Sequence, residues 1–348
     1  MPRGCPYGSH RSLDPVGSLP QAAWKLDNTP RPWDNEILVD VDTLNIDSAS
    51  FTQMEQASGH NPDAVAGLIA GTIQDRGKMH NPVTGSGGMF LGTVAEVGPE
   101  LKRPELKPGV RLASLVSLSL TPLHLDEIHE VRIGTDQVRV KARAILFESG
   151  IYAVLPEDLA EEVALAVLDV AGAPAQTARL ARPGDVVMVV GGGGKSGLLC
   201  CCEARRRVGP TGTVLALDAS DASETLLREL GVDQVLVLDA SRPLEVLKAV
   251  TAATGGRPVD LAINCVNLPG TEMSTILPLR PRGMAYFFSM ATSFTAATLG
   301  AEGAGKDVDL MMGNGYAAGH DRIALQLLRE NAALRRHFEQ RFAAPAHR

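Results

Sequence analysis

Cysteine is scarce in this 348-residue chain, and where it occurs it is poorly placed for cross-linking. Of the five cysteines, Cys200, Cys201 and Cys202 are consecutive and cannot bridge one another without strain, which leaves Cys5 and Cys265. The pattern gives neither a disulfide framework nor a zinc cluster, so a reducing, cytoplasmic setting is expected. A basic excess is missing too: 33 lysines and arginines against 40 acids leave a net charge of −7. Nucleic-acid binders need a basic face that displaces counterions, so that class of partner is not expected. No stretch approaches the roughly 18 uninterrupted apolar residues of a membrane span, so no membrane partner is expected either. The opening MPRGCPYGSHR has no apolar run behind its positive residues, unlike a secretory leader. Internal repeats and low-complexity tracts are absent.

What remains is the composition of a globular protein, with 45% hydrophobic and 21% charged residues. The length favours two domains, placed at 1–155 and 156–348. The first is β-rich: EILVDVDTL (36–44), GTVAEVG (92–98) and LKPGVRLASLVSLSL (106–120) read as strands around an irregular, glycine-rich segment at 75–92. From residue 156 strand and helix alternate. Apolar runs at 186–190, 213–218, 234–239, 259–266, 283–290 and 307–315 are separated by helical segments, and one helix closes the chain. Such alternation requires crossover connections and a parallel, doubly wound sheet, so the fold class is α/β.

The stretch VVGGGGKSG (189–197) admits two readings. A P-loop needs a glycine five residues before the Gly-Lys-Ser, and that position is Val189, so the spacing fails. Gly-x-Gly-x-x-Gly fits Gly192, Gly194 and Gly197, after a strand and at the start of a helix. Gly192 would allow the tight turn, Gly194 the approach of backbone to a pyrophosphate, and Gly197 close packing of helix on strand. Gly193, Lys195 and Ser196 complete the phosphate-facing turn at the positive helix end. Asp218 ends the next strand, 26 residues after Gly192, where a carboxylate accepts from an adenosine ribose. That charge would repel a 2′-phosphate, so NAD is expected over NADP, although Ser220 and Ser223 could assist a phosphate. Ligands sit at the carboxyl ends of strands in such sheets. Cys265 and Val266 are therefore placed at the cofactor, with Ser289 and Met290 facing the nicotinamide ribose. Asn314 is placed at the site or at a subunit boundary. Cys200, Cys201 and Cys202 read as core filling.

A β-rich half followed by this dinucleotide half resembles the medium-chain dehydrogenase/reductase superfamily over most of the chain. GTVAEVG is similar to its Gly-x-Val-x-x-Val-Gly, and ARPGDVVMVVGGGGKSG to its Pro-Gly-Asp entry to the nucleotide turn. The resemblance implies a GroES-like catalytic domain ahead of a Rossmann sheet, and a homodimer through the last strand, whose open edge is a pairing hazard. Zinc-dependent members carry a cysteine in the first catalytic loop, where TLNIDSASF (43–51) has Asn45, and a Gly-His-Glu where GSGGM (85–89) stands. Catalytic zinc takes three protein ligands. His60, His80, His124 and His129 have no companion cysteine in this half beyond Cys5, so no metal is expected. GCPYGSHRSLDPVGSLPQAAWKLDN (4–28), NIDSASF and HNPVTGSGGM (80–89) together resemble the L-erythro-3,5-diaminohexanoate dehydrogenase family. This second resemblance implies oxidative deamination of a small diamino acid to 5-amino-3-oxohexanoate with ammonia release, as in lysine fermentation.

An amine can give up hydride only after losing a proton, and the water that attacks the iminium needs an acceptor, so a side chain must move protons. His80 is the candidate base; it is otherwise a loop histidine bonded to backbone. Asp47 is the candidate for holding or orienting the amine; it is otherwise the cap of an Asx turn. Lys78, Asn81, Thr84 and Ser86 are candidate donors to the substrate carboxylate, unless the Gly-Ser-Gly-Gly run is only a tight turn beside the cofactor. Two rivals stand beside this reading. A zinc-free quinone or enoyl reductase would want a hydrophobic acceptor pocket and NADPH, against Asp218 and the polar loop 75–86. A dinucleotide sensor without catalysis would leave the polar loops without purpose.

Overall fold

Period-2 alternation and its interruptions shape the first half of the chain. The computed structural model describes residues 2–313 and 315–343, so Asn314 lies outside the described residues. The chain divides into two compact units, Met1–Leu165 and Ala166–Arg348. In the first, β1 (Ser12–Asp14) and β2 (Lys25–Leu26) form a small antiparallel ribbon ahead of β3 (Ile37–Asn45). Helices α1 (Ser48–Ala57) and α2 (Pro62–Arg76) follow, then β4 (Met89–Val97), β5 (Arg111–Ser114), β6 (Leu123–Arg132), β7 (Gln137–Leu146) and β8 (Tyr152–Val154). The last six strands make an antiparallel sheet in the order β6-β7-β3-β4-β5-β8. Its core joins Ile37, Val39 and Val41 of β3 to Val65, Ile69 and Ile73 of α2, all buried. The helix starts where Asn61 accepts from the backbone of Asp63 and Ala64, with Pro62 in the first turn.

The long strand expected at 106–120 is only four residues here. Beyond Ser114, serine hydroxyls take over the backbone: Ser114 Oγ bonds to Val116, and Ser117 Oγ accepts from Ser119 N. Such local bonds compete with the ladder, and a short 3-10 turn, Leu118–Leu120, results.

After α3 (Glu161–Leu168) and α4 (Gly172–Leu180), the second unit holds all six expected strands. They are β9 (Val186–Val190), β10 (Thr213–Asp218), β11 (Gln234–Val237), β12 (Val259–Asn264), β13 (Leu279–Phe287) and β14 (Val308–Met312). Helices α5 (Lys195–Val208), α6 (Glu224–Glu229), α7 (Pro243–Ala253), α8 (Glu272–Ile276) and α9 (Phe294–Gly303) connect them. Every pairing is parallel and the order is β11-β10-β9-β12-β13-β14, the doubly wound arrangement with its switch point between β9 and β12. All five residues of β9 are buried, which explains its unbroken apolar sequence. The closing helix expected as one is two, α10 (His320–Glu330) and α11 (Ala332–Phe342). At Asn331 the backbone turns extended (φ −121°, ψ 103°) and the side chain caps α11 by accepting from Leu334 N. Among the described residues no helix is long and apolar enough to cross a membrane.

Candidate active site

In the second unit the chain leaves β9 through a turn pinned to the neighbouring strand: Gly191 and Gly192 both donate to the Leu217 carbonyl. The left-handed residue of the turn is Gly191 (φ 81°), one before the residue that the spacing assigned to it. A Cβ on Gly197 would lie 2.0 Å from the Gly191 carbonyl oxygen, so helix and turn touch there. Gly194 caps α5 differently. Its added Cβ would meet nothing nearer than Gly191 O at 3.7 Å, so protein packing does not require glycine there. The first bond within α5 runs from Leu198 N to Gly194 O, and no side chain caps the helix. The amides of Lys195, Ser196 and Gly197 are thus left facing outward from a positive helix end, and this cradle fits a pyrophosphate.

The acidic end of β10 is held in place. Asp218 accepts from Gly193 N at 2.7 Å with one oxygen and from Ala219 N at 2.8 Å with the other. Lys195 points elsewhere than to open solvent: its Nζ pairs with Asp169 at 2.8 Å. Ser196 is half-buried beside it. Cys265 and Val266 lie one and two residues past the end of β12, where Cys265 N donates to Val190 O and Val266 N to the Asn264 side chain. A hydrogen bond with Cys200, 3.9 Å away, and burial together raise the Cys265 thiol well above its usual range, so it stays protonated. Ser289 and Met290 lie beyond β13, which ends at Phe287. Ser289 N donates to Asn264 O, and Met290 is exposed.

Asn264 had no signal of its own in the sequence, yet it organises this end of the sheet. It is fully buried, and its amide donates to Thr271 Oγ1 and Thr275 Oγ1, both at 2.9 Å. Its side-chain oxygen accepts from Val266 N and its main-chain oxygen from Phe288 N and Ser289 N.

The first unit carries the polar loop. Asp47 is the N-cap of α1: Oδ1 accepts from Ser50 N at 3.0 Å, and Oδ2 from Ser86 Oγ at 2.7 Å. Ser86 Oγ lies 3.0 Å from Ser50 Oγ, which lies 2.5 Å from Thr84 Oγ1. An unbroken row of oxygens therefore runs from the exposed Thr84 through the buried Ser50 and through Ser86 to Asp47. Ser50, in the middle of the row, was not among the expected residues. It lies within a helix whose spacing reveals nothing of the loop it will meet.

Of the four expected carboxylate donors, the structure brings only Thr84 and Ser86 to the open side of this loop. Asn81 is buried and spends its groups internally, accepting from Val83 N and donating to Gln53 Oε1 at 3.0 Å. Lys78 is fully buried with Nζ 2.6 Å from the Pro20 carbonyl, so its ammonium faces the interior. Burial, with the Arg76 charge second, lowers its pKa to about 8.

His80 is half-buried, and its Nδ1 is a buried atom without a hydrogen-bond partner. Burial first, then the charges of Arg76 and Lys78, push its pKa down to about 4, while the backbone of Gly85 works in the opposite sense. The imidazole is neutral near pH 7, the protonation state from which a general base works. Among the described residues, no group of three or more His, Cys, Asp or Glu is arranged around a common metal position.

Comparison with known proteins gives these features a setting. The N-terminal domain model of L-erythro-3,5-diaminohexanoate dehydrogenase matches residues 10–156. The chain is 55% identical to the L-erythro-3,5-diaminohexanoate dehydrogenase of Acetoanaerobium sticklandii, over 98% of this chain and 99% of that one. It is 53% identical to the enzyme of the same name from Fusobacterium nucleatum subsp. nucleatum, with the same coverage. Among solved structures, an alcohol dehydrogenase from Thermotoga maritima shares the fold with a TM-score of 0.56 at 18% identity, covering 88% of this chain and 85% of that one. Identity of this extent along nearly the whole length leaves one assignment: the chain belongs to the L-erythro-3,5-diaminohexanoate dehydrogenase family.

Proposed function

We propose that this chain oxidises the 3-amino carbon of L-erythro-3,5-diaminohexanoate and releases ammonia, giving 5-amino-3-oxohexanoate. The observation that carries the reading is its 55% identity, over 98% of its length, to a relative named for that substrate. The chain is an oxidoreductase that takes a nicotinamide cofactor, which when bound accepts hydride from C3 of the substrate. The protein's own residues handle the protons. Neutral His80 takes the proton of the C3 ammonium, since the amine needs a lone pair before hydride can leave. Once that proton has passed to solvent, the imidazole takes another from the water that attacks the iminium carbon and returns it to the amine nitrogen, which leaves as ammonia. Asp47, held by Ser50 N and Ser86 Oγ, faces the departing amine with a fixed negative charge. Thr84, exposed at the end of the row, offers its hydroxyl to the substrate carboxylate, while Ser86 gives its hydrogen to Asp47. The test is reduction of NAD by 3,5-diaminohexanoate followed at the NADH absorbance, with ammonia released one for one; no signal at saturating substrate overturns the reading.

NAD is the cofactor we assign. Asp218 offers a carboxylate where the ribose hydroxyls would lie, Asp221 adds a second negative charge in the loop, and no lysine or arginine occurs between Asp218 and Glu224. Asp218→Asn keeps an acceptor for Gly193 N but removes the repulsion. The ratio of kcat/KM for NAD over NADP should fall by about tenfold or more, equivalent to about 1.4 kcal/mol; an unchanged ratio would place the discrimination elsewhere.

A homodimer through β14 completes the proposal. That strand is the sheet's outer edge, with Leu310 and Met311 half-buried and Met312 exposed, and pairing with a second copy would satisfy its free backbone groups. Light scattering should give twice the 36.8 kDa chain mass, and a monomer would reject it.

A further inference from the structure

Two cations are buried in the first unit without any carboxylate to balance them among the described residues, and both flank His80. Arg76, the last residue of α2, is 8% exposed. Its guanidinium stacks 4.2 Å from the Trp24 ring centroid, its Nε donates to Trp24 O at 3.2 Å, and its Nη1 donates to His80 O at 2.7 Å. Lys78 is 0% exposed and reaches Pro20 O. Between them a Cβ on Gly77 would sit 2.1 Å from Leu26 O, so the turn lies directly on β2. The receiving arm, residues 14–26, is closed on itself by bonds from Trp24 N to Asp14 O and from Ala22 and Ala23 N to Leu19 O. Burying uncompensated charge is costly, and neutral residues could fasten a loop to a ribbon more cheaply.

We propose that Arg76 and Lys78 are positioning residues: they clamp the turn carrying His80 onto the N-terminal arm and fix where its imidazole sits, acting through His80 and never touching substrate. The inference rests on the reading of His80 as the base. Arg76 holds the main-chain oxygen of His80 itself, so a shift of the arm is passed directly to the ring. The same two charges are also the ones acting on that ring, Arg76 from the end of α2 and Lys78 from the following turn. Among the described residues no carboxylate is found acting on it, and the Gly85 backbone opposes them. The clamp thus fixes the place of the ring and adds to the burial that keeps it neutral.

The experiment uses the full-length enzyme with NAD and 3,5-diaminohexanoate, comparing Lys78→Met, Arg76→Gln, Arg76→Lys and His80→Gln. Lys78→Met should lower kcat by about tenfold or more while leaving NAD affinity, measured by calorimetry, as in the parent. The acid limb of its kcat/KM profile should move to higher pH by about half a unit to one unit, because one cation fewer resists protonation of His80. Arg76→Gln should do the same, whereas Arg76→Lys keeps the charge and should lower kcat with the limb in place. Thermal stability supplies a second readout should one variant fold poorly. Lys78 binds its proton less tightly folded (about 8) than unfolded (about 10.5), so its penalty is full below pH 8 and relieved above it. The melting temperature of the parent relative to Lys78→Met should therefore rise between those values. Profiles that superimpose on the parent, while His80→Gln is inactive, overturn the clamp alone. Full turnover by His80→Gln overturns the clamp together with the reading of the base.

Discussion

Replacing Gly194 with valine should abolish dinucleotide binding in a protein that is otherwise folded as before. The free space around Gly194, with no protein atom nearer than 3.7 Å to an added Cβ, means that the apoprotein tolerates a side chain there. Its backbone (φ −78°, ψ 169°) is extended and suits valine. The branched side chain would fill the space before the amides of residues 195–197, where the pyrophosphate must come. Affinity for NAD should drop by at least about 100-fold, or about 2.7 kcal/mol, with the melting temperature changed little. Gly197→Ala makes the opposite control. Its methyl would meet the Gly191 carbonyl at 2.0 Å and Gly192 Cα at 2.7 Å, so turn and helix must part. Stability should fall there by about 1–3 kcal/mol, as for overpacked cores. Calorimetry with NAD and thermal melts of the two variants separate the two roles; Gly194→Val binding NAD as well as the parent would remove the phosphate from this turn.

The second large effect is expected from His80→Gln. Glutamine preserves size and polarity but cannot accept a proton, and general base catalysis contributes about 100- to 10,000-fold. A loss of that order in kcat/KM should come with unchanged NAD affinity, since no residue of the glycine turn is touched. The pH dependence sharpens the test. With its pKa at about 4, His80 works in the neutral form above that value, so the parent should lose activity only as pH falls toward it. In His80→Gln that acid limb should vanish. The rise at alkaline pH, where the substrate amine deprotonates unaided, should persist in both. Retention of the acid limb would assign it to another group.

Much of the second unit was legible in the amino acids because parallel strands buried on both faces leave continuous apolar runs, as in Val186–Val190, and because glycine spacing records a contact between turn and helix. Strand ends were less legible: β12 stops at Asn264 and β13 at Phe287, since turns beyond them are tied to one buried amide that carries no local pattern. In the first unit, α2 hides its stripe. Val65, Ile69 and Ile73 recur every four residues, but alanines and glycines on the remaining faces dilute the contrast between inside and outside. Strand β6 is half-exposed and rich in charge, which blurs its alternation, while its partner β7 buries Val138, Val140, Ala142 and Ala144 in strict alternation. The candidate site shows the same division. Asp47, Thr84 and Ser86, from two separate loop motifs, meet in one hydrogen-bonded row, whereas Lys78 turns inward because a segment more than fifty residues earlier supplies its acceptor. Tertiary burial of a charge has no sequence period to announce it.

The row of oxygens from Thr84 to Asp47 carries one further implication. The carboxylate at its inner end can only accept, so the Ser86 hydrogen is committed to Asp47, and only the hydrogens of Ser50 and Thr84 can turn without any heavy atom moving. The array is therefore fixed at Asp47 and adjustable at Thr84. Either setting of Ser50 leaves Asp47 accepting from Ser86, so the outer hydroxyl can adapt to what docks on it while the inner charge keeps its place.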